Sequence, residues 1–245
     1  MEDLNKLLDI AKEAAILGGD FLAKSIDVDL KILLNKGRDI KLQIDQDAEG
    51  LIKDYIKSKS LLPILAEESG ISENLGDLFW VIDPLDGTAN FLRNIPICCV
   101  AIAVMHKSVP VLGVINDFNN NNLYFAHQDM PAFMNKDQIS VSNIKSKSGG
   151  TLVTGIPAKE TYTDAEFHEM ISEFQAWKKV RMIGSAAMAS VYVASGRADT
   201  YKENGIFLWD IAAGAAIVKA AGGNVVISNI KEDYRVDAKF SNASL

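Results

Sequence analysis

A run of apolar residues ends abruptly in two acids, a proline and a glycine in the stretch Phe79-Trp80-Val81-Ile82-Asp83-Pro84-Leu85-Asp86-Gly87-Thr88-Ala89-Asn90-Phe91. The apolar residues predict the end of a buried strand. Because proline has no N–H to donate to a neighbouring strand, we expect the chain to leave the sheet at Pro84. Asp83 and Asp86 are then expected to lie together on one tight turn.

The two carboxylates of this turn suggest a metal site. Negative charges at close range repel one another, and a hard divalent cation commonly offsets that repulsion. Gly87 lets backbone N–H groups turn outward, and a short helix starting near Thr88 would direct its N-terminus at an anion beside the metal. These features together predict a phosphate-ester site. The same residues are also typical of an ordinary β-turn, so the turn chemistry alone leaves both interpretations open.

Three separated motifs resemble those of the inositol monophosphatase family of magnesium-dependent, lithium-sensitive phosphatases. They occur in the family's order as Ala66-Glu67-Glu68-Ser69, Asp83-Pro84-Leu85-Asp86-Gly87-Thr88 and Trp209-Asp210-Ile211-Ala212-Ala213-Gly214. The middle motif is fairly specific, and the combination of the three is strongly so. The resemblance extends from the first predicted helix to about Val226 and therefore concerns nearly the whole chain.

The resemblance implies an α/β fold, a layered α-β-α-β-α sandwich of the sugar-phosphatase type. One phosphatase-fold unit would span residues 1–245, with a metal-binding α+β lobe over about 1–145 and an α/β lobe over 146–245. The sequence pattern favours the same division. Strand-turn-strand patterns dominate the middle of the chain, whereas strands and helices alternate in its final third.

Individual elements follow from hydrophobic periodicity. Helical spacing predicts a first helix over residues 4–22 and a second one that Asp45 is well placed to cap. Strands are expected at 26–34 and 61–65, and apolar segments at 98–105, 109–115 and 123–126 predict an antiparallel meander. The last third predicts strands at 151–154, 178–183 and 199–202 and helices at 164–177, 184–195 and 209–221.

Composition and charge limit the class of protein. With 245 residues, of which 48% are apolar, the chain can bury a sizeable core. No apolar run approaches the roughly 20 residues of a membrane span, and the N-terminus lacks the basic start of a signal peptide, so we expect a cytoplasmic protein without a membrane partner. The formal net charge of −7 argues against a nucleic-acid partner. Cys98 and Cys99 are expected to be buried and reduced.

The resemblance also implies a ligand set for two or three Mg²⁺ ions. The carboxylates of Glu67, Asp83, Asp86 and Asp210 would hold these ions together with the backbone carbonyl of Leu85. All of these groups are oxygen donors, which a hard cation selects. In isolation, glutamates after a strand are usually only solvated, and Asp210 is also a good helix N-cap, so capping and ligation remain compatible.

Catalytic roles are implied for three residues. Asp45 would accept a hydrogen bond from Thr88, which would orient the attacking water, and Glu68 would lie near that water. Water would then displace the alcohol in line, without a phosphoenzyme. Capping of the second helix remains the alternative role of Asp45. This segment departs from the family, because Lys41-Leu42 stand where the family usually has Val-Thr.

Substrate contacts are implied for a further group of residues, namely Gly87, Thr88, Gly184, Ser185, Ala186, Glu203 and Asp210. Close helix packing explains the small residues near Gly184 equally well, and an unpaired surface acid is the alternative for Glu203. The motifs look more like the inositol-phosphate branch than the bisphosphate-nucleotide branch, so inositol 1-phosphate is the expected substrate. We also expect a homodimer.

Three alternatives remain open at this point. A 3′(2′),5′-bisphosphate nucleotidase acting on 3′-phosphoadenosine 5′-phosphate and a fructose-1,6-bisphosphatase would use the same metal chemistry on another ester. A regulatory or binding protein on the same scaffold would act through a partner surface instead. The complete set of acids argues against lost catalysis but not against a second role.

Overall fold

The computed structural model describes residues 3–25, 31–36, 39–71, 74–157 and 161–245. Its helices are α1 (Leu4–Ala23), α2 (Gln43–Lys57), α3 (Thr88–Phe91), α4 (Asp164–Gln175), α5 (Ala186–Ala194) and α6 (Leu208–Ala220). None of the helices in these ranges combines the length and the hydrophobicity that crossing a lipid bilayer requires.

The strands of the described ranges form a hairpin and two larger sheets. The hairpin pairs β1 (Ile32–Lys36) with β2 (Asp39–Leu42). The first sheet contains β3 (Ile64–Ala66), β4 (Gly70–Ile71), β5 (Leu78–Asp86), β6 (Cys99–His106), β7 (Val109–Asp117), β8 (Asn122–His127), β9 (Phe133–Met134) and β10 (Asp137–Gln138). The second sheet contains β11 (Thr151–Thr154), β12 (Lys179–Met182), β13 (Thr200–Phe207), β14 (Asn224–Ser228) and β15 (Arg235–Ser241).

Strand order differs between the two sheets. The first sheet has the order β10-β9-β8-β7-β6-β5-β3-β4 and is antiparallel from β5 to β10, which confirms the predicted meander. The second sheet has the order β12-β11-β13-β15-β14, and its first three strands are parallel. Parallel strands require crossover connections, which α4 and α5 supply between β11, β12 and β13.

The helices cover the sheets in layers. α1 and α2 pack against one face of the first sheet, and α5 and α6 lie between the two sheets. Successive side chains of β5 alternate between these layers: Trp80 and Ile82 join the core beneath α1 and α2, whereas Val81 joins the core around α5 and α6. α4 lies beside β11 and β13 across a cavity. The expected α-β-α-β-α sandwich is therefore confirmed.

Two glycines bring α6 close to its neighbours. A Cβ on Gly113 of β7 would lie 2.1 Å from the carbonyl oxygen of Ala213, and a Cβ on Gly214 would lie 2.2 Å from the Cβ of Ser190 in α5. Non-bonded atoms do not approach so closely, so a side chain at either glycine would displace α6. Gly113 and Gly214 thus allow α6 to pack closely and help to fix the place of its N-terminus, where Asp210 lies.

The strand that carries the acidic motif differs from the sequence prediction. β5 continues through Pro84 to Asp86, whereas we expected the chain to leave the sheet at Pro84. Its register with β6 shifts between Asp83 and Asp86, and pairing resumes where Asp86 faces Cys99. A bulge in the strand therefore accommodates the missing N–H of Pro84, and the predicted tight turn is wrong.

Most other predicted elements occur within a few residues of their expected bounds. The first helix is confirmed, and α2 begins at Gln43, so that Asp45 is its third residue and not its N-cap. Residues 26–30 of the expected strand at 26–34 lie outside the described residues. β14 and β15 were not predicted. The division into lobes near residue 145 stays a prediction, since one hydrophobic core contains residues of both sheets.

Candidate active site

Three carboxylates from two distant parts of the chain meet at one place. Asp83 and Asp86 come from the two sides of the bulge in β5, and Asp210 comes from the first turn of α6. One oxygen atom of each lies within 4.8 Å of the others. Asp83 is almost completely enclosed, and its Oδ2 atom is buried with no hydrogen-bond partner. Oxygen donors gathered in this way could hold a divalent cation.

The electrostatics of this group favour a bound cation. Burial first, and then the charges of Glu67 and Asp86, raise the pKa of Asp83 well above its ordinary value. Burial and the charges of Asp86 and Glu67 do the same to the pKa of Asp210. Ionised carboxylates are therefore costly here unless a positive charge accompanies them.

Glu67 interacts electrostatically with the same acids. It follows β3, and its backbone N–H donates to the carbonyl of Ile82 at 3.1 Å, which places it beside β5. Burial and the neighbouring charge of Glu68 raise its pKa to about 8. Glu67 therefore lies near the group of three aspartates without belonging to it, and the role of these four acids as metal ligands stays a prediction.

Asp86 also connects the site to α5. The hydroxyl of Ser185 and the N–H of Ala187, at 2.7 Å, both donate to Oδ2 of Asp86. These hydrogen bonds lower the pKa of Asp86, yet burial outweighs them and raises it to about 6. Ser185 is the N-cap of α5. These two donors are thus occupied by Asp86, and a substrate contact through this loop stays a prediction.

Two hydrogen bonds and one glycine fix the backbone between Asp83 and Thr88. The N–H of Leu85 donates to Oδ1 of Asp83 at 3.0 Å, and the hydroxyl of Thr88 donates to the carbonyl of Leu85 at 3.1 Å. Gly87, at φ +93°, caps α3 in the left-handed region, where a Cβ would also lie 2.8 Å from the carbonyl oxygen of Ile97. Glycine is therefore required at this position.

No hydrogen bond joins Asp45 to Thr88 in this structure. Its Oδ2 atom accepts the N–H of Leu42 at 2.9 Å, as the third residue of a helix does in a capping box, and its Oδ1 atom is buried without a hydrogen-bond partner. Burial raises the pKa of Asp45 to about 7. The hydrogen bond implied for Thr88 and Asp45 is absent here because the Thr88 hydroxyl bonds to Leu85. The catalytic role of the pair stays a prediction.

Glu203 lies inside β13 and not on the surface. It is 9% exposed, the hydroxyl of Tyr201 donates to its Oε2 atom at 3.0 Å, and burial raises its pKa to about 7. The alternative of an unpaired surface acid is therefore wrong. Glu203 lines a cavity of about 260 Å³ between α4 and the second sheet, together with Thr154, Gly155 and Tyr162. A hydroxyl-bearing molecule could enter this space.

The sequence interpretation missed two residues that act on the Glu67-Glu68 loop. The buried carboxylate of Glu49 in α2 accepts the N–H of Glu68 at 2.8 Å and that of Ser69 at 3.1 Å. Lys41 of β2 places its Nζ 2.8 Å from Oε1 of Glu68. One signal could have indicated Glu49, because it lies four residues after Asp45 and hence on the same side of α2.

A third missed residue is Asn90, which lies in α3 three residues after Gly87. Its Nδ2 atom donates to the carbonyls of Ile97 and Ile183, at 2.8 Å each. The second of these carbonyls immediately precedes Gly184, so Asn90 ties the central motif to the loop that leads into α5. The sequence carries no local signal for a contact across so many residues.

Fold and site together define a class, an α/β protein of layered sheets and helices with a buried carboxylate cluster that could hold a cation. Comparison with known proteins gives the family. The family model described as the inositol monophosphatase family matches residues 3–240. A relative from Pasteurella multocida named Nus factor SuhB is 39% identical over 94% of this chain and 88% of its own length. An inositol-1-monophosphatase from Synechocystis is 37% identical over 91% of this chain and 79% of its own length.

Solved structures agree with this result. The inositol monophosphatase from Anabaena superposes with a TM-score of 0.86 at 32% identity and covers 98% of this chain and 92% of its own. The Thermotoga maritima IMPase gives a TM-score of 0.82 at 31% identity, covering 100% of this chain and 93% of its own. This chain belongs to the inositol monophosphatase family. It is accordingly a phosphoric monoester hydrolase.

Proposed function

We propose that the protein is a Mg²⁺-dependent phosphomonoesterase that hydrolyses a small phosphorylated polyol, with inositol 1-phosphate as the first candidate. The meeting of Asp83, Asp86 and Asp210 carries the proposal, because it supplies a cation site in a chain of phosphatase ancestry. The name of the Synechocystis relative supports the choice of substrate. A cytoplasmic location, a homodimer and lithium sensitivity belong to the same proposal.

The residues present fit Mg²⁺. The unpartnered buried Oδ2 atom of Asp83 is an acceptor that a cation would satisfy. Glu67, Asp83, Asp86 and Asp210 would hold two or three ions together with the carbonyl of Leu85, whose oxygen has a second lone pair beside the one that Thr88 uses. When bound, Mg²⁺ would supply a water of lowered pKa and neutralise charge on the phosphate ester.

The protein's own groups would orient the reactants. Rotation of the Thr88 hydroxyl away from Leu85 would free it to position the attacking water, and the unpartnered Oδ1 atom of Asp45 would accept a hydrogen bond from that hydroxyl. Glu68 would lie beside that water. These roles are family roles carried onto matching residues.

Substrate recognition would come from the other side of the site. Glu203 would accept a substrate hydroxyl through Oε1, since Tyr201 occupies Oε2. Gly87 and Thr88 would contact the phosphate, the Gly184-Ser185-Ala186 loop the organic part, and Asp210 a hydroxyl close to the metal.

A second function of another class has one observation in its favour. Relatives from Pasteurella multocida and Escherichia coli are named Nus factors. On that reading the chain would act through a partner surface, with or without hydrolysis. The meeting of Asp83, Asp86 and Asp210, with Glu67 nearby, favours hydrolysis as the primary activity.

Phosphate release from three esters tests the proposal. The purified chain would be assayed on inositol 1-phosphate, 3′-phosphoadenosine 5′-phosphate and fructose 1,6-bisphosphate, each with Mg²⁺ and with a chelator. We expect kcat/KM to be on the order of tenfold or more higher for inositol 1-phosphate, a difference of about 1.4 kcal/mol in transition-state binding. Activity should disappear with the chelator. If none of the three esters releases phosphate in a Mg²⁺-dependent way, the proposed enzymatic activity is refuted.

Thr88 and Asp45 should lose activity as a unit. If Asp45 accepts a hydrogen bond from the Thr88 hydroxyl, then Thr88→Ala and Asp45→Asn should each lower turnover on the order of a hundredfold, in the range of positioned proton-transfer groups. The double variant should be little worse than either single one. Turnover of the four proteins at saturating Mg²⁺ measures this. A nearly silent Asp45→Asn would instead mean that Asp45 only accepts the N–H of Leu42.

A further inference from the structure

We propose that Lys41 is a built-in cation of the acidic site, whose ammonium group pairs with Glu68 and takes the place of one of the divalent ions that the acids would otherwise bind. The inference rests on the proposed function, because it concerns the number of metal ions at the same site. It assigns a role to a residue at which the chain departs from the motif pattern described above.

The hairpin places Lys41 at the edge of the site. Lys41 pairs with Leu34 across the hairpin, and its strand β2 lies against α3, the helix that begins at Thr88. Its Nζ atom lies 2.8 Å from Oε1 of Glu68. The Lys41 side chain is 27% exposed and that of Glu68 only 5%, so the pair is largely shielded from solvent. Screening by water and salt is correspondingly weaker than at a surface pair.

The partner carboxylate is held in place. Glu49 accepts the N–H groups of Glu68 and Ser69, so the backbone beneath the Glu68 side chain is fixed from α2. Lys41 therefore meets a carboxylate at a set position beside Glu67. An ordinary surface ion pair lacks such support and its side chains move freely.

The charge of Lys41 reaches beyond its partner. Burial is the main cause that raises the pKa of Glu67 and of Asp45, and the charge of Glu68 adds to it in both. The ammonium of Lys41 acts in the opposite direction on both groups. A fixed positive charge that stabilises the ionised acids also repels any further divalent ion near Glu68. Lys41 thus reduces the number of ions that the site takes up.

Calorimetric titration with Mg²⁺ tests this without any substrate. The full-length wild type would be compared with Lys41→Met, which keeps the length of the side chain and removes its charge, and with Lys41→Arg, which keeps the charge. We expect Lys41→Met to bind one more Mg²⁺ per chain than the wild type, or the same ions about tenfold more tightly. Lys41→Arg should resemble the wild type.

Lys53→Met is the matched control. Lys53 contacts Glu49 at 3.5 Å and the hydroxyl of Ser69, so it supports the same loop from the other side. Its loss removes an ammonium group without freeing Glu68, and we expect unchanged Mg²⁺ stoichiometry. Circular dichroism would establish that each variant is folded, and Lys41→Gln would replace Lys41→Met if the latter is not.

Three results would overturn the inference in distinguishable ways. Equal stoichiometry and affinity in the wild type and Lys41→Met would refute the role of Lys41 alone. Absence of Mg²⁺ binding by the wild type would refute the metal site and with it both proposals. An equal gain of Mg²⁺ in Lys53→Met and Lys41→Met would show a general charge effect and would also count against a specific role of Lys41.

Discussion

Replacement of Asp83 by asparagine should lower phosphate release on the order of a thousandfold, equivalent to about 4 kcal/mol of transition-state stabilisation. The reason is the position of Asp83 beside Asp86 and Asp210, where its charge would contribute to holding the proposed cation. Asparagine keeps the shape of the side chain, and its carbonyl oxygen can still accept the N–H of Leu85. The fold should therefore be retained. Steady-state kinetics with Mg²⁺ would measure the loss.

The same variant should be more stable than the wild type when no metal is present. Folding raises the pKa of Asp83 from an ordinary value of 3.8, so the contribution of this group to stability is complete below that pH and is lost as the pH rises towards the folded pKa. Asparagine avoids this loss. We expect a higher melting temperature for chelator-treated Asp83→Asn at pH 8, with the difference fading near pH 4.

Asp117→Asn provides the matched control for the loss of activity. Asp117 is as deeply buried as Asp83, but it lies at the end of β7, where both of its oxygens accept from Asn120. Its replacement should leave Mg²⁺-dependent activity within a few-fold of the wild type. Wild-type activity in a folded Asp83→Asn protein would remove Asp83 from the metal site.

Replacement of Asp210 by asparagine should separate ligation from capping. Oδ2 of Asp210 accepts the N–H of Phe207 at 3.3 Å, and an asparagine oxygen can do the same, so the start of α6 should survive. The charge that would bind the cation is lost. We expect activity to fall on the order of a hundredfold to a thousandfold. The melting temperature without metal should not fall, because asparagine avoids the cost of this buried charge as it does at Asp83.

Asp210→Ala completes the comparison. Alanine removes both the charge and the hydrogen-bond acceptor, so this variant should be as inactive as Asp210→Asn. It should also be less stable than Asp210→Asn by about 1 kcal/mol, a typical cost of a lost helix-start hydrogen bond. Melting curves and Mg²⁺ titrations of the two variants would provide the measurement. Normal Mg²⁺ dependence in Asp210→Asn would leave capping as the whole role of this residue.

The acids of the site could be predicted because the three motifs that contain them resemble those of a known family; local pattern alone left a solvated glutamate, a β-turn and a helix cap as alternatives. Glu67 follows β3, Asp83 lies within β5 and Asp210 lies in the first turn of an alanine-rich helix, so hydrophobic pattern indicates the elements that carry them. The bulge at Pro84 could not be predicted from the same pattern. Whether a strand ends or resumes after a proline depends on the neighbouring strand, here β6, which pairs again at Cys99.

The contacts that surround the acids were less predictable. Lys41 reaches Glu68 across 27 residues and Asn90 reaches Ile183 across 93, and neither pattern has a periodicity. The hydrogen bond of Thr88 to Leu85 depends on the rotation of one hydroxyl, which sequence does not encode. β14 and β15 were missed although Gly222-Gly223 separates them from the last helix; the alternation of Val236, Ala238 and Phe240 was a strand signal that the sequence interpretation did not use.

The absence of a side chain at Gly113 also limits which substitutions this sequence can accept during evolution. An alanine there would push on Ala213, which is three residues along α6 from Asp210. A mild substitution in a central strand, far along the chain from every acid, would thus reach the active site through a displaced helix. Exposed positions such as Leu61 are under no such constraint. A relative can therefore lose activity while it retains all three motifs, and a search for the motifs alone would not reveal that loss.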